Sequence, residues 1–208
     1  MQNKTAALFA LAALTAATAF NVNAAVKYEP FVGIDVGARL SGQFESKYSG
    51  KQEHVDLEEH VDLSSSMVFG VEGGVILNQA HQFSIGYDYR GVSREDYSND
   101  DLEVGTLYTQ YDYLVPITQN LAWTIGGKLG YEMYNSDFDG EDELNGIVLG
   151  AQTGLNYRFN AWSVGAEVSH LYHTNEVEYS ETYNDQKYTS SSKIGDEVLL
   201  TANVKYHF

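Results

Sequence analysis

Cysteine is absent from the 208 residues and proline occurs only twice. Without cysteine there can be no disulfide framework, thiolate nucleophile or Cys-ligated zinc. An exported chain of this kind must find its rigidity elsewhere. A closed sheet supplies it, because every backbone N–H and C=O then has a neighbour and no edge is left. No Pro/Ser-rich stretch divides the chain, which reads as one domain after its leader. Basic residues are scarce too: 12 Lys and Arg stand against 29 Asp and Glu, a net charge of −17. That balance argues against nucleic acid or polyanionic glycans as partners and favours cations or basic surfaces. Long apolar runs are missing beyond the N-terminus, and mean hydropathy is −0.31. A barrel is compatible with both, since its membrane signal lies in alternation, which averages away.

The abundant residues are Gly (19), Tyr (16) and Phe (9). Tyr and Gly enrichment with scarce Pro favours many strands over helices. The chain opens M-Q-N-K-T and continues with an Ala- and Leu-rich run. That run is too short for a spanning helix and ends in small residues around Ala24, so residues 1–24 are expected to be a secretory signal peptide and 25–208 the mature domain.

Period-two alternation organises the rest. The C-terminal run puts Val198, Leu200, Ala202, Val204, Tyr206 and Phe208 on one face and Leu199, Thr201, Asn203, Lys205 and His207 on the other. Seven further runs are expected at 31–43, 61–77, 83–90, 105–117, 121–133, 146–159 and 162–169. In the first, Ser41 joins Asp35 and Arg39 on the inward face; in the second, Val61 and Leu63 are expected outward. The inward faces carry Gly with Asp35, Glu72, Asp88, Asp112, Glu132 and Glu167 against Arg39, Arg90, Lys128, Arg158 and Lys205. Gly and charge cannot make a dry apolar core, so the apolar faces are expected to meet lipid. The inward charges are expected to neutralise one another across a narrow lumen; a thin ion pathway is the alternative.

An uninterrupted apolar face ending in aromatics at the last residue and two before it resembles the terminus of bacterial outer-membrane β-barrel proteins. The resemblance implies that Val204, Tyr206 and Phe208 form the signal read by the barrel assembly machinery. At the level of architecture it extends over the whole mature chain, which is similar to the small OmpA-like, OmpX-like and Ail-like surface barrels of the porin-like families. The fold expected is all-β: an eight-stranded antiparallel transmembrane barrel, monomeric, in the outer membrane of a Gram-negative bacterium, among its lipid and lipopolysaccharide. Both termini are then periplasmic.

Short connections at 78–80, 118–120 and 160–161 alternate with long ones near 44–60, 93–104, 134–145 and 173–196. Short periplasmic turns and long extracellular loops give that asymmetry. The segments 45–60, 93–102, 135–143 and 174–197 hold 20 acidic and 5 basic residues, a balance of −15 out of the chain's −17. Asp137, Asp139 and Asp142 are a weak Ca²⁺ candidate whose spacing does not match an EF-hand. The tandem copy of E-H-V-D-L at 53 and 59 preserves strand face because its period is even. The stretch H-L-Y-H-T-N at 170–175 has a faint similarity to the His-x-Ser-Asn signature of outer-membrane lipid A deacylases, but its hydroxyl type and spacing both depart from it. No catalytic residue, cofactor or firm metal site is assigned. The function expected is non-enzymatic: surface interaction or envelope integrity through acidic loops. A narrow channel for small or cationic solutes is the alternative, and a lipid A-modifying enzyme comes third.

Overall fold

The structure is a computed structural model describing residues 26–50, 55–92, 102–135, 145–183 and 186–208. The expected leader, 1–24, and the Ca²⁺ candidates Asp137, Asp139 and Asp142 lie outside the described residues.

Among the described residues there are ten strands: β1 (Tyr28–Gly50), β2 (Val55–Asp62), β3 (Met67–Leu77), β4 (His81–Val92), β5 (Leu102–Pro116), β6 (Leu121–Asn135), β7 (Gly146–Phe159), β8 (Trp162–His173), β9 (Glu176–Tyr183) and β10 (Gln186–His207). Eight of them close a barrel in the order β1, β3, β4, β5, β6, β7, β8, β10, with β10 pairing back onto β1. All pairings are antiparallel. β2 and β9 do not circle the barrel. They pair with the far ends of β1 and β10, which run on as ribbons beyond the closed wall.

Three tight connections lie at one end, here called the base. Asn78, Gln79 and Asn160 have φ of 53°, 61° and 55°, the left-handed region that short hairpin turns require. Both described termini are at this end, where Tyr28 pairs with Leu77 and Phe31 with His207. The long connections gather at the opposite end, the rim.

The outer wall is apolar. Ile34, Phe69, Val71, Ile125, Leu129 and Leu155 are among many large hydrophobics left about half exposed. So continuous a belt exceeds what a soluble monomer leaves to water. Trp123, Phe159, Trp162, Tyr206 and Phe208 cluster on it near the base, with edge-on ring contacts from Trp162 to Tyr206 and from Tyr206 to Phe208. Tyr87, Tyr89, Tyr131 and Tyr172 lie outward near the rim. Two such girdles are what a bilayer's two interfaces select.

The alternation fails toward the rim, where the β1–β10 ladder shifts twice, between Arg39 and Ser41 and between Gly42 and Phe44. The first shift makes a bulge at Leu40, and an extra residue reverses the side chains that follow it. Ser41, expected inward, therefore faces out, and Gly42 is buried. Across from it the run expected at 61–77 is broken at Ser64–Ser66: Ser65 donates its hydroxyl to the Arg39 carbonyl, and the Arg39 amide bonds the Ser66 carbonyl. The break reverses phase there as well. Leu63, expected on the lipid face, is buried inside.

The interior also corrects the expectation that it holds no apolar core. Three apolar clusters stack along it: Leu63, Val104, Tyr134 and Ile194 at the rim; Val68, Val148, Leu171 and Leu199 below them; and Phe31, Ile76 and Leu114 near the base.

Candidate functional site

Between these apolar layers lie two sets of buried charges. The upper set is built by β1, β4, β6, β8 and β10. Arg39 Nε is 2.6 Å from Glu197 Oε1, and Arg90 Nη2 is 2.6 Å from Glu132 Oε1 and 2.7 Å from Glu197 Oε2. All four side chains are at most 2% exposed. Arg90 Nη1 donates to Thr106, Arg39 donates to the carbonyls of Ser64 and Gly91, and the Tyr134 hydroxyl donates to Glu132 Oε2 at 2.6 Å. His173 completes the set, with Nδ1 2.8 Å from the Gly195 carbonyl and Nε2 3.1 Å from Glu132.

Glu132, His173 and Glu197 offer ligand atoms within 4.8 Å of one another, the spacing of a metal site. Their charge is already matched, because two guanidiniums face two carboxylates. A cation entering here would meet Arg39 and Arg90 at close range. The arrangement is a cross-brace, and the cavity beside it, about 10 Å³, has room for about one water.

The middle set differs. Lys205 Nζ is 2.7 Å from Glu72 Oε1, and Lys128 Nζ is 3.4 Å from Asp88 Oδ2 while lying 3.9 Å above the Tyr108 ring. Gly86 makes room for that ring, since a Cβ there would collide with the Tyr108 hydroxyl end. Asp35, Asp112 and Glu167 have no ion-pair partner within 4 Å among the described residues. Asp112, 1% exposed, accepts amide hydrogens instead: from Gln82 at 3.2 Å, Gln110 at 2.8 Å and Gln152 at 2.9 Å. The Gln110 amide also reaches Glu167 at 3.2 Å.

At the base, Arg158 is ion-paired with Glu29 and stands about a third exposed at the mouth. His207 Nδ1 lies 3.0 Å from the same carboxylate, and its Nε2 is 2.9 Å from Ser163 Oγ. The structure thus divides the eleven inward charges read from the sequence: Arg39, Arg90 and Glu132 above, Asp35, Glu72, Asp88, Asp112, Lys128, Glu167 and Lys205 in the middle, and Arg158 at the base. Four further members were not read as interior charges. Glu29, His173 and Glu197 follow from carrying the alternation one or two steps past each run, and His207 was on the inward face but not counted as a charge. Glu197, which the sequence places in an acidic loop, is 0% exposed inside the barrel.

The stretch 170–175 does not assemble a hydrolytic site. His170 turns outward and pairs with Asp196 at 3.1 Å, whereas His173 points into the lumen. Thr174 donates its hydroxyl to the Ile147 carbonyl, and Asn175 donates to the Asn145 carbonyl. Val204 and Tyr206 lie on the outer face of β10, and Phe208, just past its end, is exposed.

No protein-family model matches the sequence, and no curated protein matches it. The fold, by contrast, is shared with solved outer-membrane barrels. The outer membrane protein OprG from Pseudomonas aeruginosa superposes with a TM-score of 0.60 at 9% identity, over 86% of this chain and 95% of that one. Neisserial surface protein A gives 0.52 at 17% identity, over 86% and 97%. The outer membrane protein AlkL gives 0.52 at 11% identity, over 90% and 93%. The chain therefore has the fold of an outer-membrane barrel, with eight strands in the closed wall and two in the rim ribbons.

Proposed function

We propose that the protein is an outer-membrane barrel with a closed lumen that works, without catalysing a reaction, through the acidic connections at its rim. In this reading the base faces the periplasm with both termini, and the rim faces outward. The barrel is monomeric, sits among lipopolysaccharide and is inserted by the assembly machinery through its C-terminal strand. The observation that carries it is the stacking inside the wall. Apolar layers lie above and below the Arg39–Glu197–Arg90–Glu132 brace, while the rim segments hold nearly all the net negative charge. Charge so placed attracts basic or cationic partners and steers their encounter.

The test is made on intact cells. Protease added from outside is expected to cut within 93–101 or 136–144 and leave the barrel heat-modifiable, and a polylysine probe should bind cells through those segments. Replacing the acids of 136–144 by amides should lower that binding at least about threefold at low salt, because exposed charges act over roughly a 10 Å screening length. Cleavage only after the cells are opened would contradict the orientation.

A second reading, a narrow pathway for small or cationic solutes, is favoured by the acids Asp35, Asp88 and Asp112 in the middle set. It requires the upper brace to open.

A further inference from the structure

Along the outer face of β6 the residues run Trp123, Ile125, Gly127, Leu129, Tyr131 and Met133, so one lipid-facing position has no side chain. Glycine weakens a strand interior, and it marks a bulge, a bend or the close approach of a ligand or another backbone. At Gly127 the ladders to β5 and β7 run on without a shift, and a Cβ would make only an ordinary contact, 3.4 Å from the Gly150 carbonyl. Over it the wall is hollowed into a groove of about 520 Å³, lined on the outer face by Phe83, Thr109, Tyr111, Gly127, Leu129 and Leu149.

The groove lies on one continuous row of the sheet. Phe83 pairs with Tyr111, Tyr111 with Gly127, Gly127 with Ala151, and Ala151 with His170. Phe83 is close to the base end of β4, whereas His170 is close to the rim end of β8. Four inter-strand steps of about 4.8 Å make the row about 19 Å long, and strands tilted about 45° carry it upward by about 14 Å. That rise is about half of a 30 Å hydrocarbon core, the depth of one leaflet. At its upper end His170 and Asp196 are paired at 3.1 Å, each 53% exposed on the outside of the wall. Ionisable side chains in a lipid-facing belt are costly and mark function. The next outward residue on β8 is Tyr172 of the rim girdle.

We propose that this row binds one lipopolysaccharide of the rim-side leaflet, an acyl chain lying over Ala151 and Gly127 in the groove and its sugar head meeting His170 and Asp196. The groove opens into the lipid-facing belt, so acyl chains are what reach it. The polar pair selects the head. Where an acyl chain joins a sugar, amide N–H and hydroxyl groups offer hydrogens to the Asp196 carboxylate; the ester linkages of a phospholipid offer acceptors only. The choice of lipopolysaccharide rests on the reading that the rim faces outward, whereas the groove and its polar end do not.

The test refolds the full chain in detergent, where orientation plays no part, and incubates it with lipopolysaccharide or with phosphatidylethanolamine. Excess lipid is removed and bound lipid is counted by mass spectrometry of the intact complex. Lipopolysaccharide is expected to bind at about one per barrel and at least about fivefold better than phosphatidylethanolamine. Gly127→Leu, which fills the groove, and the double change His170→Leu with Asp196→Leu should each lower binding about tenfold with heat modification kept. Val71→Leu, on the outer face of β3, should leave binding unchanged. The double variant decides the matter if Gly127→Leu does not fold. A folded parent that binds neither lipid overturns the proposal. So does equal binding of the two lipids, binding undiminished in the groove and double variants, or binding lost equally in Val71→Leu. Protease protection of the rim on intact cells would overturn the orientation alone and leave the groove standing.

Discussion

The upper and middle charge sets occupy the same narrow lumen and are similarly buried, yet they handle charge in opposite ways. Above, Arg39 and Arg90 face Glu132 and Glu197, every contact is 2.6 to 2.7 Å, and the sum is zero before His173 is counted. In the middle, five acids meet two lysines, and the surplus falls on Asp35, Asp112 and Glu167. The planar guanidinium explains part of the contrast: its fixed fork lets Arg90 hold two carboxylates and Thr106 together, where a lysine offers a single point of charge. The upper set is therefore a brace, strong because each carboxylate is held by a guanidinium. The middle set carries a surplus of acids, and Asp112 is held there by three amide donors instead of a base.

That contrast can be broken from either side. Arg90→Leu leaves Glu132 and Glu197 buried with one guanidinium between them. It should cost about 3–5 kcal/mol, read as a large fall in the temperature at which the unboiled band converts to the unfolded one. Leu199→Ala, in the apolar layer between the two sets, opens a cavity and should cost about 2–3 kcal/mol by the same assay. Asp112→Asn breaks no ion pair and keeps an acceptor for the glutamine amides, so it should cost less than about 1 kcal/mol. A loss as large as that of Arg90→Leu would make the two sets equivalent. Lys193→Ala removes an ion pair of 3.0 Å to Glu45 in the exposed ribbon and should change stability by about 0–1 kcal/mol.

The wall was legible because lipid outside and a polar lumen inside impose a strict alternation, and eight runs of it were present to be read. Its failure at Leu40 and Ser64–Ser66 was not legible. A bulge costs one residue and leaves no compositional mark, yet it turns Ser41 out and Leu63 in. The lumen was legible as a set of charges, not as an arrangement. Which acid meets which base depends on register across several strands, and Arg90 reaches Glu197 over a separation of 107 residues. The apolar layers were hidden for a related reason: Val68, Val104, Val148, Leu171 and Leu199 are each isolated on an inward face and become a layer only when the sheet closes. Gln82, Gln110 and Gln152 carried no signal alone, since scattered glutamines acquire meaning only by meeting at one carboxylate.

The central claim is that the brace and its apolar layers close the lumen. Ion and small-solute flux through the refolded protein in liposomes tests it, once unboiled and boiled samples are shown to migrate differently. A closed barrel predicts no flux above that of protein-free liposomes. Steady flux through folded protein, reduced when Asp35, Asp88 and Asp112 are changed to Asn, would contradict it and make the middle acids the lining of a pore.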